Sequence, residues 1–205
     1  MEVACLDLEG VLVPEVWIGV TETMGIEALR ATTRDIPDYG QLMRQRLEIL
    51  DQNGIGLSQI QAVIAEMGPL EGAREFLDWL RENYQVVILS DTFYQFATPL
   101  MRQLGWPFLL CHHLQTDGAG HITGWDLCVP GHKREAVRAF HGLNFKVIAV
   151  GDSFNDTGML GEADTGIFFS APENVTRDFP GFQTTQDYGA LKTAFQEASR
   201  KLRES

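Results

Sequence analysis

Cysteine is scarce in this chain: Cys5, Cys111 and Cys128 are the three among 205 residues. Their number is odd and no Cys-x-x-Cys spacing occurs, so neither a disulfide framework nor a structural zinc site is expected, and the thiols read as reduced. Basic residues are few as well. Lys and Arg number 16 against 28 Asp and Glu, giving a net charge of -12 and an isoelectric point near 4.7. No basic stripe appears, which opposes a nucleic-acid or anionic-membrane partner, because phosphate backbones recruit clustered cations. No apolar run reaches the roughly 18 residues of a membrane span, and acids at Glu2, Asp7 and Glu9 interrupt the first apolar stretch. A cytoplasmic protein is the expectation. Nucleotide fingerprints are missing too: there is no Gly-x-x-x-x-Gly-Lys, and Gly54-Ile55-Gly56 lacks both the third glycine and the preceding strand. The chain contains no internal repeat and no low-complexity segment.

What is present is ordinary globular material, 44% hydrophobic and 21% charged, enough for one substantial core with room for a small accessory domain. Apolar runs at residues 3–6, 86–89, 108–111, 147–150 and 166–169 read as buried strands. Helical spacing recurs at 72–83, 94–104, 133–141, 156–162 and from about 188, as in Phe76, Leu77 and Leu80. Strands alternating with helices predict an α/β fold with a doubly wound parallel sheet. About 75 residues separate the first two strands, far more than one crossover helix needs. The spacing predicts helices at 16–24, 39–50 and 58–67, the last with Ser58 as N-cap. The division is therefore a core of residues 1–13 and 69–205 and a small inserted helical cap domain of residues 14–68. Asp117-Gly118, between alternating residues, signals a β-hairpin turn.

Two strand ends carry acids. The first run ends in Asp7-Leu8-Glu9-Gly10-Val11 and a later one in Gly151-Asp152-Ser153-Phe154-Asn155-Asp156. In open α/β sheets ligands bind at the carboxyl ends of strands, and two acid-tipped ends can share a cation. Asp7 could attack a phosphoryl group as a carboxylate nucleophile. Two anions then meet, so a cation is needed; Mg²⁺, a hard ion taking oxygen ligands, is the expected cofactor. Glu9 would protonate the departing alcohol and later deprotonate the acceptor. Arg46 shares a helical face with Met43, Leu47 and Leu50, where a guanidinium needs a partner, and a substrate carboxylate suits it. His112 and His113, adjacent on a strand, point to opposite sides, so no shared metal site is expected of them.

These segments resemble motifs I and IV of the haloacid dehalogenase superfamily of phosphatases and phosphotransferases, and more closely its phosphoserine phosphatase branch. Glu9 stands where the second motif I aspartate is usual, which resembles the members that also transfer phosphate to homoserine. The resemblance implies a helical cap, O-phospho-L-serine as the small-molecule substrate and L-homoserine as a further acceptor. It implies Mg²⁺ held by Asp7, Asp152 and the backbone carbonyl of Glu9. Ser90 fits motif II, whose hydroxyl and following N–H groups hold phosphate oxygens; Asp91 is counted with it as a substrate-binding position, although Asp91-Thr92 departs from the usual Gly-Gly there. Lys133 fits motif III, with Arg134 adjacent. Asn155 would donate to phosphate or orient Lys133, and Asp156 would support the metal from behind or hold Lys133. Arg46 falls at the position taking the serine carboxylate, and Glu15 within one position of the acid holding the ammonium. Two other readings stay open at this point: a phosphatase of another small phosphoester, such as a sugar or vitamin phosphate, and a phosphoacceptor signalling module, which predicts a shorter chain without an insertion.

Overall fold

In the computed structural model, which describes residues 1–31, 36 and 38–204, seven strands form one sheet in the order β4-β3-β2-β1-β5-β6-β7. They are β1 (Glu2–Leu6), β2 (Gln85–Phe93), β3 (Phe108–Thr116), β4 (Ile122–Asp126), β5 (Lys146–Gly151), β6 (Thr165–Phe169) and β7 (Gln183–Thr185). All neighbours are parallel except β3 and β4, which form the hairpin expected around Asp117. Asp117 there caps its own turn, accepting the N–H groups of Ala119 and His121, each at 2.9 Å.

Helices cover both faces: α1 (Val16–Met24), α2 (Tyr39–Gln52), α3 (Leu57–Met67), α4 (Ala73–Asn83), α5 (Tyr94–Gln103), α6 (His132–Gly142), α7 (Thr157–Glu162), α8 (Glu173–Asp178) and α9 (Tyr188–Glu204). Because successive strand side chains point to opposite faces, β1 feeds two cores. Val3 and Cys5 pack with Val87, Leu89 and Val137, whereas Ala4 and Leu6 pack with Ile88, Phe76 and Phe195. A buried strand with helices on both faces reads as a continuous apolar run, which is how residues 3–6 read. Among the described residues no helix is long and apolar enough to cross a membrane.

Among the described residues, helices α1 to α3 and a 3-10 turn at Glu27–Arg30 lie between β1 and α4. Their apolar side chains join the larger core, since Met43, Leu50, Ile60 and Ile64 belong to the same cluster as Leu6 and Ile88. Trp17 meets Phe96 edge-on at 5.4 Å, Gln61 Nε2 donates to the Gln95 carbonyl (2.6 Å), and Gln103 Nε2 donates to the Ala65 carbonyl (2.9 Å).

Two local expectations are corrected. Strand β2 runs on to Phe93 instead of ending at residue 89, with its pairing to β3 irregular between Leu89 and Phe93; Ser90 and Asp91 are thus strand residues. Ser58 is not an N-cap, because α3 starts at Leu57 after Gly56. The Leu57 N–H finds the Gly120 carbonyl (3.0 Å) and Gln59 accepts the Gly56 N–H (2.6 Å), so donors at this helix end are met without a serine. Short α8 and β7 carry too little periodicity to be read from sequence.

Phe76 is fully buried on α4, stacked on Tyr188 at 5.1 Å and within 6.1 Å of Trp79 and Phe195. Phe76→Ala should destabilise the protein by about 3–5 kcal/mol through lost transfer energy and the cavity left behind. Urea unfolding monitored by circular dichroism measures it, and a change under about 1 kcal/mol would show that the site collapses around the deletion.

Candidate active site

Strand β1 lies between β2 and β5, both parallel to it, so the strand order turns back on itself beside β1. Such a switch point opens a crevice at the carboxyl ends of the strands. Asp7 stands there one residue past β1, its N–H donating to Val150 of β5 at 2.9 Å. Asp152 stands one residue past β5. Two glycines let the acids come close. Gly10 has φ +76°, and a Cβ on it would overlap the Asp152 carboxylate; a Cβ on Gly151 would overlap the Asp156 side chain.

Lys133, in the first turn of α6, points into this crevice and is 4% exposed. Its Nζ donates to Asp156 Oδ1 (2.8 Å) and Asp7 Oδ1 (2.9 Å), and lies 3.2 Å from Asp91 Oδ2. Burial opposes its charge, but Asp156, Asp7 and Asp91 outweigh burial and raise its pKa well above the usual lysine value. Arg134 turns away to Glu162 at 2.7 Å, so Lys133 is the cation of the site. Asp156 is fully buried and uses its second oxygen, Oδ2, to accept the N–H groups of Asp152 (3.0 Å) and Ser153 (3.1 Å).

One ligand oxygen each from Asp7, Asp152 and Asp156 lie within 4.8 Å of one another, an arrangement able to hold a metal ion. Burial first, then the charge of Asp156, pushes the Asp7 carboxyl well above the usual range. Burial, Asp156 and Glu15 push Asp152 up to about 7. One lysine therefore leaves negative charge uncompensated, and an all-oxygen donor set suits a hard divalent cation such as Mg²⁺. Both oxygens of Asp156 already accept hydrogen bonds, Oδ1 from Lys133 and Oδ2 from the Asp152 and Ser153 N–H groups.

Glu9 accepts the Val16 N–H at 3.0 Å, at the start of α1. Burial, then the Glu15 charge, pushes its carboxyl up to about 8. Glu15 is exposed at the N-cap of α1, beside Glu9. Arg46, 6% exposed on α2, lies over the Trp17 ring at 4.2 Å and donates from Nη2 to the Ala31 carbonyl at 2.8 Å. Its Nε is buried without a hydrogen-bond partner among the described residues. Burial lowers the Arg46 pKa to about 10 against the opposing charges of Tyr39, Glu9 and Glu15. Ser90 is buried, its Oγ accepting the Thr92 N–H at 3.2 Å. Asn155 reaches Asp91, its Nδ2 donating to Oδ2 at 2.9 Å.

The sequence reading gave no site role to two residues of this neighbourhood: His112, considered only against His113, and His132. His112 of β3 and His132 of α6 lie 4.8 Å apart between ring centroids, 3.7 and 3.6 Å from Asp91 Oδ1. His112 and His113 do face opposite ways, buried and exposed respectively. The signal available was only that His132 precedes the motif lysine.

A family model described as haloacid dehalogenase-like hydrolase matches residues 1–164. The chain belongs to the haloacid dehalogenase-like hydrolases. A phosphoserine phosphatase of Pseudomonas syringae pv. tomato is 60% identical over 201 residues, covering 98% of this chain and 85% of that protein. The phosphoserine phosphatase ThrH of Pseudomonas aeruginosa is also 60% identical, covering 98% of each. Among solved structures, a phospho-aspartyl intermediate analogue of phosphoserine phosphatase superposes with a TM-score of 0.75 at 19% identity, over 94% of this chain and 98% of that one, and shows the shared fold.

Divalent cation binding should stabilise the haloacid dehalogenase-like hydrolase fold here. At about 100 times its dissociation constant, Mg²⁺ would add about 2.7 kcal/mol, a rise in Tm of roughly 5–10 °C for a domain of this size. Asp152→Asn should abolish that rise while leaving the metal-free protein no less stable, since it removes one of the crowded like charges. A full Mg²⁺ shift retained in the variant, read by thermal melting, would remove Asp152 from the ligand set.

Proposed function

We propose that this chain is a Mg²⁺-dependent phosphomonoesterase acting on O-phospho-L-serine through an aspartyl phosphate on Asp7, and that the phosphoenzyme passes its phosphoryl group to water or to L-homoserine. One observation carries the chemistry: a buried carboxylate at the switch point, paired with a buried lysine at 2.9 Å and facing a second acid-tipped strand. The 60% identity to two proteins named phosphoserine phosphatase supports the substrate.

In the first half-reaction an Asp7 oxygen attacks phosphorus, the bond from phosphorus to the serine oxygen breaks, and that oxygen takes the Glu9 proton. A carboxyl pushed up to about 8 by burial and Glu15 holds its proton near neutral pH, as a general acid must. In the second, the Glu9 carboxylate takes a proton from water or from the homoserine hydroxyl, whose oxygen attacks phosphorus and releases Asp7. Lys133, the Ser90 hydroxyl and Asn155 hold phosphoryl oxygens, and Asp156 keeps Lys133 in place from behind. Bound by Asp7, Asp152 and the Glu9 carbonyl, Mg²⁺ would neutralise the charge that builds where phosphate meets the acids.

Selection lies in residues 14–68, which act as the cap. The Arg46 Nε, without a hydrogen-bond partner among the described residues and on a guanidinium fixed over Trp17, offers a donor to the substrate carboxylate, and Glu15 takes its ammonium. Holding both ends of a zwitterion beside Glu9 orients the departing oxygen for the proton transfer.

The decisive assay supplies Mg²⁺ and phosphoserine with and without homoserine and quantifies inorganic phosphate and phosphohomoserine, with Asp7→Asn as the blank. Phosphohomoserine formed at the expense of phosphate is expected; no product of either kind above the blank would overturn the substrate. Arg46→Ala should raise KM for phosphoserine roughly ten- to a hundredfold, the worth of a charge-assisted hydrogen bond, and leave a phosphoester without a carboxylate nearly unaffected. Equal losses on both would discard the carboxylate role.

A further inference from the structure

An ammonium has three N–H donors, and those of Lys133 face three carboxylates: Asp156 at 2.8 Å, Asp7 at 2.9 Å and Asp91 at 3.2 Å. Asp156 and Asp7 accept hydrogen bonds from Nζ and Asp91 stands within ion-pair distance of it, so a phosphoryl oxygen approaching Lys133 competes with a carboxylate. Asp7 has to stay as the nucleophile, and Asp156 is 0% exposed and fastened to two backbone N–H groups. Asp91 is 41% exposed. Its Oδ2 also takes the Asn155 amide at 2.9 Å, so this one carboxylate oxygen engages two groups that the proposed function assigns to phosphate.

A receiving place lies on its other side. The Cys128 N–H donates to His112 Nδ1 at 3.2 Å. The neutral ring therefore carries its proton on Nε2, the atom 3.7 Å from Asp91 Oδ1. His132 donates from Nε2 to the Ser90 carbonyl at 3.1 Å, with Nδ1 3.6 Å from the same Asp91 oxygen. Asp91, His112 and His132 have ligand atoms close enough to hold a metal, yet a protonated Nε2 on His112 is a donor and no ligand. His132, neutral and donating from Nε2, turns only a lone pair toward Asp91, so His112 is the histidine whose N–H can receive this carboxylate.

We propose that Asp91 is an internal stand-in for the substrate phosphate: its carboxylate occupies Lys133 and Asn155 in the free enzyme and moves onto His112 when a phosphate oxyanion takes its place. This rests on the phosphate reading of the site. Asp91 then sets the affinity for every phosphate species, by competition, without touching the bond that breaks. Substrate dianion and product phosphate are weakened alike, which favours release of product.

The test measures inorganic phosphate binding by titration calorimetry to the full chain saturated with Mg²⁺. Asp91→Ala should bind phosphate roughly tenfold more tightly or better, since a like charge and a competitor leave together, and Asp91→Asn should lie between it and the parent. His112→Phe should weaken phosphate in the parent and change nothing in Asp91→Ala, because the two act through one contact. In the unsubstituted protein the His112 Nε2 proton resonance should shift when phosphate saturates the site, a readout that needs no variant to fold. Unchanged or weaker phosphate binding in Asp91→Ala, or a His112 resonance indifferent to phosphate, overturns the inference. Phosphoserine hydrolysis by the same preparation separates the failures: an active enzyme with such a result loses the Asp91 role alone. A protein that neither hydrolyses phosphoserine nor binds phosphate loses both readings.

Discussion

The Lys133 ammonium is the contact around which the crevice closes. It is the buried cation among Asp7, Asp91 and Asp156, which arrive from the end of β1, from within β2 and from the segment after β5. Buried carboxylates at this separation repel strongly, and a group of them survives desolvation only when a cation sits between. Lys133 therefore ties α6 to three separate strands. The pairing is fixed from behind, since Asp156 is itself held by the N–H groups of Asp152 and Ser153.

The lysine does not balance the site. Asp7 and Asp152 remain raised because burial and neighbouring acids act on them together. A site left electron-rich in this way has a standing affinity for cations, and a cation bound there turns the same crowding into attraction for a phosphate. The glycines at 10 and 151 serve this arrangement sterically, since side chains at either position would occupy the space of Asp152 or Asp156. Above the crevice, α1 and α2 bring Glu15 and Arg46 to Glu9, so that the charges on the inserted helices and the acid of the core lie within one electrostatic neighbourhood.

Legibility varied with how far each signal depended on neighbours in sequence. The parallel sheet, the long insertion and the hairpin were readable, because apolar runs, their spacing and an Asp-Gly turn are local patterns. Asp7, Asp152, Asp156 and Lys133 were readable because acids and a lysine at strand and helix ends form short motifs, and the fold brings these four together. Asp91 was readable as a substrate-binding position that departs from the usual glycine, but its partners, Lys133, Asn155 and the two histidines, come from distant segments. The Ser58 expectation missed because a helix start can draw its partners from a hairpin more than 60 residues away, here the carbonyl of Gly120.

The sequence by itself determined which residues are chemically able to act: acids at the tips of two apolar strands, one lysine in the first turn of a helix, one arginine on an apolar face. Tertiary structure alone decided how they share charge. Whether a lysine meets solvent or three carboxylates, whether Arg46 lies over Trp17, and whether His112 faces Asp91 are questions of distance between segments remote in the chain. Electrostatic and hydrogen-bond energies depend on separations of a few ångströms and on burial, and neither quantity exists until the sheet has set its strand order.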